Sequence, residues 1–267
     1  MAIIRNQIGG LELLSATNIS APHGFTTRLG GVSQGNLAAM NIGTHRGDTE
    51  ENVCRNYEIL GSAIGFEIQN CVLTKQTHTD VVRCVTEEDA GTGLFKPEFP
   101  PCDGLITNAP GLALVVFTAD CTPVLLHDPV TGAVGAVHAG WRGTAQDIVG
   151  KAVAEMEEKL GVNPANIRAA IGPNIGQCCF ETDADVPEAI LGAYGEDART
   201  FIRQVGEKYY VNLKEVNALA LHRRGVRNIE ISTECTLCNT DRYWSARKHG
   251  NLRGSQGAII VCKEVGK

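Results

Sequence analysis

The chain reads as a mixed-sheet α/β layer protein, and three observations predict it. Short apolar runs of strand length alternate with segments of helical period along the whole sequence. Several runs are joined by turn residues into hairpins, which a doubly wound parallel sheet does not contain. Neither GxGxxG after a strand nor GxxxxGK[ST] occurs, so dinucleotide and nucleoside-triphosphate folds find no support.

From the N-terminal side, Ile3–Ile8 and Leu11–Leu14 are expected as strands. A glycine-rich stretch from His23 to Asp48 follows, containing FTTRLGGVS (Phe25–Ser33) and NIGTHRGD (Asn41–Asp48). A loop of that length in a compact chain is functional or disordered. Its polar residues Arg28, Ser33, Asn36, Asn41, His45, Arg46 and Asp48 suit an anion or a sugar. The competing reading is an exposed loop whose glycines serve only its turns.

Val53, Tyr57, Leu60 and Ile64 recur at helical spacing and predict a helix from Thr49 to Ala63. Cys71–Lys75 and Val81–Thr86 are expected as strands around a turn at His78, then a loop over Gly91–Pro101 and a strand at Leu105–Thr107. The run Leu112–Asp120 leads into Pro123–His127, and the turn formers Asp128-Pro129-Val130-Thr131-Gly132 predict a hairpin with Ala133–Val137. Ile148, Ala152, Met156 and Leu160 share one face of a helix predicted from Gly143-Thr144 to Leu160, stopped by Gly161. Ile167–Ile171 is a buried strand, Val186–Tyr194 a helix and Lys208–Asn212 a short strand. Leu213–Arg224 is expected as a helix, Val226–Ser232 as a strand and Gly257–Cys262 as the last strand. No linker, repeat or low-complexity segment divides the chain, so residues 1–267 are expected to form one domain.

Composition narrows the function. Apolar residues make up 43% and charged residues 20%, ordinary values for a globular protein with a sizeable core. A net charge of −6 argues against nucleic acid or an anionic membrane as the main partner. No apolar run approaches the roughly 20 residues that cross a bilayer, and the start lacks a secretory pattern. A cytoplasmic location is expected. The ten cysteines are scattered through the chain, unlike a secreted disulfide scaffold. Cys54, Cys71, Cys84 and Cys262 lie among apolar residues and read as small buried hydrophobes. Cys178, Cys179, Cys235 and Cys238 either form a second, closed zinc site or line the same pocket as Cys121.

Spacing singles out His78, Cys121 and His138 as a metal site. With the hairpin centred between Pro129 and Val130, Cys121 faces His138 directly across the ladder, their Cβ atoms about 5 Å apart. That distance lets them share one zinc ion, with His78 of KQTHTDVV (Lys75–Val82) as third ligand. Three protein ligands leave an open position, the mark of a catalytic rather than a structural site. The competing reading makes them hydrogen-bonded histidines and a buried thiol. Asp103, Asp120, Arg142 and several glycines crowd the same strand ends, where function concentrates.

At these residues the chain resembles the laccase-domain family, named for polyphenol oxidases in older usage and for purine nucleoside phosphorylases in newer usage. The matching pieces are FTTRLGGVS, NIGTHRGD, KQTHTDVV, CDGLIT (Cys102–Thr107), TADCTPVLL (Thr118–Leu126), AVHAGWRGT (Ala136–Thr144), AAIGPNIG (Ala169–Gly176) and CTLCNTDRYWSARKHGNLRG (Cys235–Gly254). The resemblance implies an α/β/β/α sandwich similar to a bacterial cytotoxin's cysteine-deamidase domain, and zinc on His78, Cys121 and His138, with copper able to replace it in vitro. It implies phosphorolysis of adenosine and inosine, and of guanosine and S-methyl-5'-thioadenosine, to base and ribose 1-phosphate, with adenosine deamination as a further activity. QTHTD and YWSARKHG depart from the runs common among relatives, which bears on substrate preference more than on metal.

Phosphate and nucleoside are then the expected partners. Arg28, Arg46, Arg142 and Arg247 are candidate phosphate holders, because guanidinium forks suit phosphate oxygens. Asp103 and Asp120 are candidates for hydrogen bonds to base or ribose. Two rivals stand beside this reading: a hydrolase or amidase with Cys121 as nucleophile and His138 as base, and a non-catalytic module whose zinc clips a loop. Seven scattered histidines make a multicopper oxidase the weakest reading.

Overall fold

A computed structural model of the chain describes residues 3–264. Its first strands are β1 (Ile3–Ile8), β2 (Leu11–Ala16), β3 (His23–Thr26), β4 (Cys71–Leu73), β5 (Val82–Cys84), β6 (Gly104–Thr107), β7 (Ala113–Thr118) and β8 (Thr122–His127). They continue with β9 (Val134–Ala139), β10 (Arg168–Ile171), β11 (Glu181–Thr182), β12 (Ile202–Val205), β13 (Lys208–Val211), β14 (Asn228–Ile231) and β15 (Gln256–Val261). The α-helices are α1 (Glu50–Ile64), α2 (Trp141–Ala145), α3 (Ile148–Leu160), α4 (Asp185–Tyr194), α5 (Leu213–Arg223) and α6 (Ala246–His249).

Two six-stranded sheets, ordered β1-β2-β3-β15-β7-β4 and β14-β10-β8-β9-β6-β5, lie face to face. Pairing is mixed: β4–β7, β5–β6 and β10–β14 are parallel and the other pairs of these two sheets antiparallel. Between the sheets pack Phe25, Val72, Leu114 and Ile260 from one and Leu105, Leu125, Ala136 and Ala170 from the other. The outer face of the first sheet is covered by Val53, Tyr57 and Leu60 of α1. Ile148, Ala152 and Met156 of α3, with Ala218 and Leu221 of α5, cover the second. The four layers are therefore α/β/β/α. Strands buried on both faces need near-continuous apolar sequence, which is why β7, β8 and β9 carry so few polar residues.

Local chemistry sets the element ends. The Thr49 hydroxyl accepts the Asn52 N–H and caps α1, and Gly65 ends it in the left-handed conformation that glycine adopts without strain. Gly161 does the same for α3.

The structure corrects several expectations. The helix predicted from Gly143 to Leu160 is two helices, broken at Gln146-Asp147 with Asp147 at φ +59°. The hairpin centre falls between Val130 and Thr131, one residue later than expected: Asp128 pairs with Ala133 and caps the loop through Val130 and Thr131. The ladder therefore sets His138 opposite Pro123, and Cys121 lies one residue before β8 rather than opposite His138. β3 emerges from the stretch read as loop, and β11, β12 and β13 form a small third sheet of which only β13 was expected. Cys71 and Cys262 are buried as expected, whereas Cys54 and Cys84 are half-buried.

Candidate metal centre

β7 belongs to the first sheet and β8 to the second, so the chain crosses between layers at Ala119-Asp120-Cys121. Asp120 makes the corner at φ +89°, a strained conformation for a residue with a side chain. Its carboxylate is held by the Thr236 hydroxyl at 2.6 Å, the Ser245 hydroxyl at 2.9 Å and the Arg247 N–H at 2.8 Å. Its carbonyl accepts the Ile175 N–H. So anchored, the corner aims Cys121 at the two histidines.

Asp103 performs the matching task from β6's start. It is fully buried, and its carboxylate accepts the N–H groups of Thr77, His78 and Thr79 at 3.2, 3.0 and 2.8 Å, and the Thr79 hydroxyl. That nest holds His78 at φ +63°. The same carboxylate accepts the His138 Nδ1–H at 2.8 Å, which leaves Nε2 to face Cys121. One carboxylate thus fixes the turn carrying one histidine and the tautomer of the other, the usual support for a metal-binding imidazole.

Ligand atoms of His78, Cys121 and His138 all lie within 4.8 Å of one another, with Cys121 Sγ 3.7 Å from His78 Nε2. Gly140 has to be bare, since a Cβ there would meet His78 Cδ2 at 2.7 Å and Cys121 Sγ at 3.3 Å. Burial pushes the Cys121 thiol up, but His138 and His78 beside it outweigh burial and bring it down to about 6. Burial likewise pulls His138 down, and Cys121 and Asp103 together raise it to about 9. A thiolate and two imidazoles so placed are a fitting donor set for one thiophilic divalent ion.

The three residues stand at the base of a cleft of about 310 Å³ whose walls include Thr44, Arg46, Gln76, Phe117, Arg253 and Ser255. Arg253 donates to the Gly254 carbonyl and the Ser255 hydroxyl. Burial, then the neighbouring charge of Arg46, lowers it to about 10. Among the described residues the Arg46 side chain has no hydrogen-bond or ion-pair partner. Glu98 lines the cleft too but is engaged by His45 and Lys75, and neither guanidinium has an ion-pair partner among the described residues, which suits this wall to an anion. A wider depression of about 850 Å³ beside α1 and the end of β15 contains none of the expected site residues.

Of the arginines and aspartates expected to bind substrate, Arg46 alone lines the cleft, joined there by His45 of the same loop. Arg28 donates to the carbonyls of Ala38 and Thr240 and lies 3.8 Å over the Trp244 ring. Arg247 donates to the Glu181 carbonyl, and Arg142 stacks on Trp141. Asp103 and Asp120 reach the site through other residues, as described. Arg253 went unread: in the basic stretch before the last strand it looks like any solvated charge, and only the fold sets it opposite Arg46. None of Cys178, Cys179, Cys235 and Cys238 lines the cleft.

The α/β/β/α sandwich thus sets a cluster of two imidazoles and one thiol in a cleft that two guanidiniums also line. Residues 22–263 match the family model described as multi-copper polyphenol oxidoreductase laccase, and the chain belongs to that family. It is 35% identical over 246 residues to purine nucleoside phosphorylase YlmD of Geobacillus stearothermophilus, covering 90% of each chain. It is 32% identical over 241 residues to adenosine deaminase RL5 of an unknown prokaryotic organism, covering 88% of this chain and 92% of the other. The crystal structure of YlmD from Geobacillus stearothermophilus superposes with a TM-score of 0.92 at 33% identity, over 98% of this chain and 100% of that one.

Proposed function

We propose that the chain is a zinc-dependent purine nucleoside phosphorylase. It takes adenosine, inosine, guanosine or S-methyl-5'-thioadenosine with phosphate to the free base and ribose 1-phosphate or its methylthio analogue. The observation that carries this reading is the meeting, in one cleft, of the His78–Cys121–His138 trio with the Arg46–Arg253 wall. Relatives named for phosphorolysis and for adenosine deamination support the same substrate class.

The chain's own residues divide the work. Arg46 and Arg253 hold phosphate by charge-assisted hydrogen bonds and aim an oxygen at the anomeric carbon. Phe117 offers an apolar wall on which a purine can lie. The Glu98 carboxylate ties His45 to Lys75, so the loop carrying Arg46 is joined to the segment carrying His78. His78, Cys121 and His138 would hold the metal, with Asp103 and Asp120 positioning them. A divalent ion there supplies Lewis acidity and, with water, hydroxide near neutral pH, which deamination of adenosine requires.

The test is base release from inosine or adenosine with and without phosphate. Release should depend on phosphate and yield equimolar ribose 1-phosphate. Arg253→Ala and Arg46→Ala should each raise the phosphate KM by roughly 10- to 100-fold, the loss of a charge-assisted contact of about 1.5–3 kcal/mol. Base release at an equal rate without phosphate, or from no nucleoside at all, contradicts the reading.

A second reading rests on the Cys121–His138 pair itself, whose thiol sits at about 6. With the metal removed, Cys121 is poised as a nucleophile toward an amide. An acyl-enzyme trapped on Cys121 in chelator-treated protein would establish that activity. The module reading needs a fourth protein ligand, and the trio has three members among the described residues.

A further inference from the structure

Four cysteines outside the lining of the cleft converge on a single point. Cys178 and Cys179 lie in the loop after β10, Cys235 and Cys238 in the segment after β14. Their four Sγ atoms all lie within 4.8 Å of one another, with Cys238 at 3.6 Å from Cys178 and 3.4 Å from Cys179. Four thiolates at about 2.3 Å from one tetrahedral ion stand roughly 3.8 Å apart. That spacing leaves no space for the core of a multi-iron cluster. A disulfide needs its sulfurs at about 2.05 Å, and all four thiols are free.

The surroundings point the same way. The Gly176 N–H donates to Cys235 Sγ at 3.2 Å and the Cys238 N–H donates to the same sulfur. Backbone donors on a sulfur favour the thiolate, which is the ligand form. A Cβ at Gly176 would come within 3.2 Å of Cys235 Cβ and 3.3 Å of Cys178 Sγ, so the loop is drawn tightly over the sulfurs. Lys214 is buried beside Cys235 and Cys178, and its ammonium donates to the carbonyls of Ser232 and Glu234. Among the described residues it has no carboxylate within ion-pair distance. Four thiolates around a dication carry a net charge of −2, and an ammonium without a carboxylate partner suits that charge.

We propose that Cys178, Cys179, Cys235 and Cys238 bind one zinc ion in a closed, four-thiolate structural site, separate from the centre in the cleft. It clips the loop after β10 to the segment after β14. Those two segments also hold the corner at Asp120, through the Ile175 N–H and the Thr236 hydroxyl. The clip therefore supports the turn that aims Cys121.

The direct experiment uses Cys121→Ala, which removes the sulfur from the cleft and leaves the four thiols in place. Wild-type protein should hold two zinc ions per chain and Cys121→Ala one. Cobalt exchanged into Cys121→Ala should show the charge-transfer and visible bands of tetrahedral four-sulfur coordination. Adding Cys178→Ser and Cys238→Ser should abolish both the remaining zinc and those bands, and lower Tm by several degrees. Because Cys121→Ala keeps all four cysteines, its metal content decides the matter even if the triple variant fails to fold. Cys121→Ala that holds iron instead of zinc, or no metal with four thiols open to alkylation, overturns the proposal. So does a disulfide among the four in protein purified without oxidant.

Discussion

The carboxylate of Asp103 accepts three backbone N–H groups, one hydroxyl and the His138 ring, all inside the protein. Asp103→Asn keeps the volume but turns an amide N–H₂ toward donors. It should weaken metal binding at the trio by roughly 10- to 100-fold, as loss of such support does elsewhere; titration against a competing chelator measures it, and unchanged affinity would remove Asp103 from the centre. His127 gives a residue-scale prediction away from the site. It faces Arg168 across the ladder, its Nδ1 is buried without a partner, and burial, then Arg168, lowers its pKa to about 4. The folded value lies below the unfolded one of about 6.5, so this contribution is whole above pH 6.5 and lost as pH falls toward 4. The loss amounts to at most about 3 kcal/mol. His127→Leu should flatten urea-measured stability across that window relative to wild type; identical pH curves would contradict the assignment. At this scale much of the centre was legible, because two histidines and a cysteine at strand ends are a rare donor combination. The positioning roles of Asp103 and Asp120 were not, since an acid near a site reads the same whether it faces substrate or backbone.

At the scale of elements, the break between α2 and α3 carries an expectation that runs against helix propensity. Gly150 is inside α3, where alanine ordinarily stabilises by about 1 kcal/mol. Here a Cβ would lie 2.3–2.4 Å from both carboxylate oxygens of Asp147, which are engaged by the Tyr194 hydroxyl and Arg224. Gly150→Ala should therefore destabilise, by about 1–3 kcal/mol in denaturant titration, and a gain in stability would show that the Asp147 carboxylate moves aside freely. Helical period alone does not reveal such a break, because α3 keeps its apolar face in phase after it. The hairpin ladder shows a similar limit. Turn-forming residues located the loop but not its centre, and a shift of that centre by one residue moved Cys121 off the ladder.

Across the whole molecule, the long apolar runs announced strands covered on both faces, and α1 and α3 supply the outer covers; the α/β/β/α layer order itself was implied only by the family resemblance. The passage from β7 in one sheet to β8 in the other was not readable, since both strands are buried and equally apolar. Yet that passage makes the site: it brings Cys121 from the corner, His138 from the end of β9 and His78 from the turn before β5 to one edge of the sandwich. Arg253, just before β15, reaches the same edge from the far end of the chain. Among the described residues no helix is long and apolar enough to cross a membrane. Metal content and inosine phosphorolysis, measured together on wild-type protein and on Cys121→Ala, test the central claim most directly. Cys121→Ala should lose one equivalent of zinc, and its ribose 1-phosphate production should fall about 100-fold or more. Undiminished production by protein that has lost that equivalent would contradict the account.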